Sequence, residues 1–450
     1  MYARAAFYDV TPRGLKVQLA GNASRQAPAA RILDPVEISA VLLESGKSRC
    51  LIFSFDLMIV GAELDKMIRT KLLDRGYASA ELVLLASHTN SAPATDSACE
   101  PLGAAEPEIV EALAEAAETL VDKIEAQRRA PISLSICQGR LNHSINRRRH
   151  WPFPTFGRTY GFRLTSISMA PNPEGTRNEQ ATVMVFRAEN GRVVSVLWHY
   201  TCHPTSVADN AVSADYPGAV RSALRDRFGA VPCVFMQGFC GDVRPNIAST
   251  VKPPLRERVR QFARMLLSGP AFARRSFEDT ARWRDSVAAA VGAIAQSNDG
   301  RTLSLTDLAA GTASVPLATF FQGAVPEKPL TAHVLRIGEN LEIIALSAEA
   351  CVGWEAILDR ALPVSEPRIR LYAGYLGALF GYLPTAAQIA EGGYEVTGFQ
   401  PLFGLSGQFL TERIEAAVVG CVTDAMVDLG RNVSRAPVGP GPPPNRRGNR

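Results

Sequence analysis

Six histidines are few for a chain of 450 residues, and two of them stand where metal or proton chemistry is easiest to build. His88 lies in Ala86-Ser-His-Thr-Asn-Ser-Ala-Pro93 and His203 in Trp198-His-Tyr-Thr-Cys-His-Pro-Thr-Ser206, each where an apolar run gives way to a turn. Imidazole changes charge near neutral pH and is the commonest metal ligand, so such a pair suits a metal site or a general base. Spacing alone does not join them, and singly each reads as a hydrogen-bonded core histidine. His199, four residues before His203, shares its strand face by the period of two. It reads as a core hydrogen-bonding residue, with support of His203 from behind as the alternative. His143, His150 and His333 carry no comparable signal. On their own, Glu349 reads as a helix-start carboxylate, Tyr382 as a packed aromatic and Arg147-Arg-Arg149 as a solvated basic loop.

The elements that must position these side chains follow from hydrophobic periodicity. Residues 36–43 and 50–56 read as a hairpin around Glu44-Ser-Gly-Lys47. A helical segment with Leu64, Met67, Ile68 and Leu72 follows, and then the unbroken apolar run 81–86, a buried strand ending at Ser87-His88. Residues 107–126 form an amphipathic helix opened by Pro107. Strands are expected at 132–137, 181–187, 193–200 and 231–236, with a helix from Pro217 to Phe228. The second half adds amphipathic helices near 253–266 and 278–295 and a hairpin from His333 to Leu346. Next come a helix with Trp354 and Leu358, a strand at 368–376, a short helix at 385–391 and a long one at 407–429. Strand, polar turn and helix recur throughout, which predicts a layered mixed α/β fold. One domain is expected over residues 1–435, with a disordered Pro, Gly and Arg-rich tail at 436–450.

Composition bounds the function class. The chain is 46% hydrophobic and 20% charged, with mean hydropathy near zero, as in ordinary globular proteins. Of the formal charge of +4, Arg446, Arg447 and Arg450 supply three, leaving the body near +1, which is no nucleic-acid footprint. No apolar run is long enough to cross a bilayer, so no stable membrane association is expected. The N-terminal residues lack a secretory h-region, and the eight cysteines are scattered in apolar runs without C-x-x-C pairs. They read as reduced core residues of a cytoplasmic protein. Oligomeric state is left open.

Taken in order along the chain, several segments resemble the neutral ceramidase family. Asp9-Val-Thr-Pro12 matches its Asp-Ile-Thr-Pro, Ala86-Ser-His-Thr-Asn-Ser-Ala-Pro93 its Ala-Ser-His-Thr-His-Ser-Gly-Pro, and Ile145-Asn-Arg147 its Ile-Asn-Arg. His203-Pro-Thr-Ser206 and Ser213-Ala-Asp-Tyr-Pro-Gly218 follow, and Gln237-Gly-Phe-Cys-Gly-Asp-Val-Arg-Pro-Asn246 matches Gln-Gly-x-x-Gly-Asp-Val-Ser-Pro-Asn. Gly381-Tyr-Leu-Pro-Thr385 and Gly392-Gly-Tyr-Glu395 complete the series. The resemblance implies the ceramidase catalytic fold and a zinc ion held by His88, His203, Glu349 and Tyr382. It also implies an oxyanion-stabilising Tyr394 and a substrate-contacting Arg147. Ceramidases carry a further C-terminal immunoglobulin-like domain for which this sequence has no room, and that too favours a soluble substrate.

Two departures matter as much as the matches. Arg244 stands where the family has its active-site serine, and Asn90 replaces the second histidine of Ser-His-Thr-His-Ser. A guanidinium, charged at any physiological pH, is neither nucleophile nor base. Attack by zinc-activated water is the mechanism left, with Asp96, Asp215 and Asp242 open as general base and Asp242 the candidate carried forward. Arg147, Arg244 and Asn90 are then expected to bind a small polar or anionic acyl substrate, cleaved at a C–N amide bond. Ester or lactone cleavage is the alternative, as is a non-catalytic descendant that only binds a small ligand.

Overall fold

The computed structural model describes residues 1–434 except 15, 22–24, 26, 158–160, 164–165, 208, 298–299 and 365–367. The expected tail at 436–450 lies outside the described residues. A nine-stranded sheet runs in the order Cys233–Gln237, Val193–Tyr200, Gln180–Ala188, Ala130–Arg140, Tyr2–Asp9, Glu37–Ser45, Ser48–Phe55 and Leu82–Ala86, with Arg301–Leu303 paired to Ala130–Arg140. Its interior pairs are antiparallel. The two end pairs, 193–200 with 233–237 and 48–55 with 82–86, are parallel. A four-stranded sheet of Leu308–Val315, Leu330–Ile337, Leu341–Leu346 and Ile369–Ala373 packs against it.

Strand periodicity decides which side chains meet where. Val41, Leu43, Ile52, Val83 and Leu85 turn to one face and pack with Leu335, Ile337, Ile343 and Leu371 of the smaller sheet. Their neighbours Ala40, Leu42, Leu51, Phe53 and Leu84 turn to the other, under helices Ala62–Asp74 and Pro107–Glu125. Asp215–Phe228 and Phe277–Ile294 cover the far end of the large sheet, and Thr411–Ser434 covers the small one through Ile414, Val418 and Val422. The result is helix, sheet, sheet, helix, the layered α/β architecture the periodicity predicts. Helix Leu255–Ser268 departs from this pattern, since none of its residues is buried.

Some boundaries differ. The long C-terminal helix begins at Thr411 rather than 407, because Ser406–Phe409 pairs as a strand with Phe321–Ala324. Phe409 meets Phe321 edge to face at 5.0 Å, and a Cβ on Gly407 would lie 2.1 Å from the Gln322 carbonyl oxygen. Glycine permits that approach and discourages helix, so tertiary pairing overrides the helical period. The helix expected from Pro217 starts at Asp215, whose carboxylate takes hydrogen bonds from the main-chain N–H groups of Ser206 and Val207. All eight cysteines are buried and free of disulfides. Among the described residues no helix is long and apolar enough to cross a membrane.

Candidate metal centre

The two strand-end histidines come together. His88 leaves the end of Leu82–Ala86, at one edge of the sheet order, and His203 the end of Val193–Tyr200, next to the strand at the other edge, and their ring centroids are 4.9 Å apart. Glu349 follows strand Leu341–Leu346 of the smaller sheet, on a short strand paired in parallel with Tyr382-Leu383, Glu349 opposite Tyr382. The Glu349 N–H donates to the Gly381 carbonyl at 2.8 Å. Gly381 has φ 131° with the Phe399 ring packed against it, a conformation and a closeness that a Cβ would spoil.

Each imidazole is oriented by its far nitrogen. His88 Nδ1 is 2.8 Å from the Met58 carbonyl, and His203 Nδ1 is 2.6 and 3.0 Å from the carbonyls of Cys240 and Val243. Only an N–H can face those oxygens, so Nδ1 carries the proton and the Nε2 lone pair points inward. The Nε2 atoms of His88 and His203 lie 3.1 and 3.4 Å from Glu349 Oε2, an oxygen with no hydrogen-bond donor. One atom from each of His88, His203 and Glu349 therefore falls within a 4.8 Å group, all three residues buried. Lone pairs facing lone pairs in a dry interior repel unless a cation lies between them. This buried His-His-Glu group could hold a metal ion, and its carbonyl-anchored imidazoles are the usual outer support of such ligands.

Electrostatics point the same way. Burial is the largest influence on Glu349 and by itself would raise its pKa, yet the two histidines more than offset it and hold the carboxyl well below its usual range. For His203 burial dominates, driving the imidazole down to about 4, so at neutral pH its Nε2 lone pair is available. Tyr375 stacks on His88 at 4.0 Å, and both have left-handed backbones, φ 60° and 67°. Non-glycine residues adopt that region at a cost, and it concentrates at functional sites. The Tyr375 carbonyl accepts from Ala86 N–H and Gly374 N–H donates to Gln237, tying the two sheets together beside the group.

Of the other expected residues, Tyr382, Tyr394 and Arg147 lie against the group, while Asp242, Asp96, Asn90 and Arg244 make contacts of their own. Tyr382 Oη is 3.5 Å from His203 Nε2, and Tyr394 meets the Tyr382 ring edge on at 5.4 Å. The Arg147 guanidinium lies 5.4 and 5.5 Å from those two rings and donates through Nε to Glu395 at 2.7 Å. Asp242 Oδ1 accepts from Val352 N–H, and its Oδ2 from Asn146 and Gln388, so its carboxylate ties three segments together. Asp96 is engaged with Lys328, Ala62 and Ala98. Asn90 donates to the Gly21 carbonyl at 3.2 Å while its Oδ1 has no donor. Arg244 is largely buried, its guanidinium 4.2 Å over the Phe272 ring. His199 makes the core contact expected of it, Nε2 donating to the Tyr372 carbonyl at 2.8 Å.

One expectation is corrected. Arg148 is no solvated loop residue: it is buried and pairs with Glu395 at 2.7 Å and Glu391 at 3.0 Å. Arg149 is exposed as expected. Glu395 and Tyr375 were given no role from sequence, although Glu395 ends the motif Gly392-Gly-Tyr-Glu395. A carboxylate two residues after a glycine pair would have been the signal for a partner to the arginines.

Helix Gly353–Ala361, just beyond Glu349, carries a testable electrostatic feature. Burial first, then the charges of Asp359 and Asp242, push the Glu355 carboxyl up to about 8, while Asn178 donates to Oε2 at 2.8 Å and Oε1 has no partner. The unfolded value is near 4.3, so folding favours the protonated form. Stability is highest below about pH 4 and falls as pH rises toward 8. Glu355→Gln, which mimics the protonated form, is expected to match wild type in thermal melts at pH 4 and to exceed it at pH 8 by about 1–3 kcal/mol. Equal melts at both pH values would count against the assignment.

No model of a known protein family matches the chain, and no curated protein matches it in sequence. Solved structures do share its fold. The neutral ceramidase from Pseudomonas aeruginosa superposes with a TM-score of 0.73 over 96% of this chain and 74% of that one, at 17% identity. A structure described as ceramidase complexed with C2 gives 0.70 over 95% and 75%, at 16% identity. The mixed α/β fold is ceramidase-like.

Proposed function

We propose that this chain is a metal-dependent hydrolase of one catalytic domain, spanning residues 1–435, that cleaves the C–N amide bond of a small polar or anionic acyl compound. One observation carries the reading: two imidazole lone pairs and a buried carboxylate oxygen without a donor converge within one group. Those residues fit a zinc ion, with His88, His203 and Glu349 as holders and the Tyr382 phenol as the fourth candidate. Zinc in such a site supplies Lewis acidity toward a carbonyl oxygen and a coordinated water of lowered pKa.

The chain's own side chains then have separable tasks. Met58, Cys240 and Val243 carbonyls fix the imidazole tautomers. Tyr394 meets the Tyr382 ring edge on, which supports a role for the Tyr394 phenol as donor toward a developing oxyanion. Asp242, carried forward as general base, accepts from Asn146, Val352 and Gln388, and that engagement supports a positioning role for it in place of proton transfer. Arg147, Arg244 and Asn90, through its unengaged Oδ1, meet polar groups of the substrate. Arg244, where the ceramidase pattern has serine, rules out a serine nucleophile at that position and favours a soluble substrate over ceramide. Buried, unlinked thiols suit a cytoplasmic setting.

The test is elemental analysis of protein purified without chelator, followed by a panel of N-acyl amino acids, short amides, esters and lactones. About one equivalent of zinc or another divalent ion is expected, with amides the best substrates. Metal near zero would sink the hydrolase reading, and faster cleavage of long-chain ceramide than of any short polar amide would overturn the substrate class.

A further inference from the structure

The strongest feature outside the His-His-Glu group is a run of guanidinium groups leading away from it. Strand Val243–Pro245 pairs antiparallel with Ser144–Trp151, Arg244 opposite Ile145. Side chains two apart share a face, so Arg147 and Arg244 project from the same side as diagonal neighbours. Arg275 joins them from the loop between helices Leu255–Ser268 and Phe277–Ile294, the loop that also supplies Phe272 beneath Arg244.

We infer that Arg244, Arg275 and the free end of Arg147 form a subsite for a carboxylate of the substrate. This deepens the hydrolase reading and rests on it for the word substrate. Three nitrogens carry the inference: Arg147 Nη2, Arg244 Nε and Arg275 Nη1 are all buried without a hydrogen-bond partner. Arg147 is more than nine-tenths buried, and its one carboxylate, Glu395, is shared with Arg148. Among the described residues neither Arg244 nor Arg275 has a carboxylate within ion-pair distance. Burying charged donors without acceptors is costly, and like charges gathered together add to that cost. Arg244 shows the strain directly: burial first, then the charges of Arg275 and Arg147, bring its guanidinium down to about 9.

An oxyanion removes the cost, and a planar carboxylate matches the guanidinium fork with two parallel hydrogen bonds. The subsite lies beside the metal group. Arg147 lies 5.4 Å from the Tyr382 ring, which stacks with His203 at 6.5 Å, and Arg244 projects from the same face as Arg147. A short acyl compound could place its scissile carbonyl at the group and its carboxylate against the arginines.

Calorimetric titration of the purified full-length protein with succinate and, separately, inorganic phosphate tests this. Wild type is expected to bind succinate saturably and phosphate more weakly, with succinate affinity lower by about tenfold or more in both Arg244→Gln and Arg275→Gln. His203→Ala, which disables the metal group, is expected to keep succinate binding, separating the arginines from a metal as the acceptor. With a pair of N-acyl substrates that differ only in carboxylate against carboxamide, the wild-type preference for the carboxylate is expected to collapse in Arg244→Gln, chiefly through KM. No saturable succinate binding in wild type, unchanged binding in both glutamine variants, or tighter binding of phosphate than of succinate would overturn the proposal. Succinate binding that survives in a protein with no metal and no hydrolysis would leave the subsite standing and remove the hydrolase reading.

Discussion

Changing His203 to alanine is expected to abolish metal retention and to lower kcat/KM by a factor on the order of 10³ or more. His203 is held on two carbonyls and faces both Glu349 and Tyr382, so no neighbouring side chain can take its place. Loss of Nε2 leaves one imidazole, one carboxylate and the Tyr382 phenol, a poorer donor set that is expected to lose a divalent ion to water. The control is His199→Gln, four residues earlier, whose ring bonds only to the Tyr372 carbonyl and which is expected to lose stability but keep its metal. Elemental analysis and steady-state rates on both variants decide it. Equal metal content in His203→Ala and wild type would remove the site from this position.

Glu395→Ala is expected to destabilise the fold by about 3–5 kcal/mol. Glu395 is buried and holds two buried arginines at 2.7 Å each. Burial opposes its charge, but Arg147 and Arg148 outweigh that effect and keep the carboxyl below its usual range. Removing it strands Arg147 in the interior and leaves Arg148 with Glu391 alone, whereas truncating the exposed Glu391 is expected to cost about 1 kcal/mol or less. Urea unfolding of the two single variants gives the comparison directly. Similar losses for both would mean that the Glu395 pairs are no stronger than surface ion pairs.

How far the sequence carried depended on the range of the interaction. The hairpin at Glu37–Phe55 and the buried strand before His88 were legible because period-two patterns and a Gly46 turn are local signals. The His-His-Glu group was legible only through the family resemblance, since its members lie far apart and nothing local links residue 88 to residue 349. Arg148 read as solvated because three consecutive arginines look like a surface run. What buries it is Glu395, in a segment nearly 250 positions away. The strand at Ser406–Phe409 was hidden by the strong helical period that follows it, and its partner lies more than 80 residues upstream. Left-handed backbones at His88 and Tyr375 leave no mark in composition, because packing rather than residue type imposes them.

The scattering of the group along the chain also bears on how the molecule is made. A ribosome releases His88 and His203 well before Glu349 and Tyr382, and domains generally fold from the N-terminal side as they emerge. Until residue 349 is out, the nascent chain has two imidazoles and no carboxylate to complete the group. The strand Tyr382-Leu383 that braces Glu349 comes later still. An unfinished chain therefore lacks the complete His-His-Glu group until the smaller sheet, which supplies Glu349, docks against the larger.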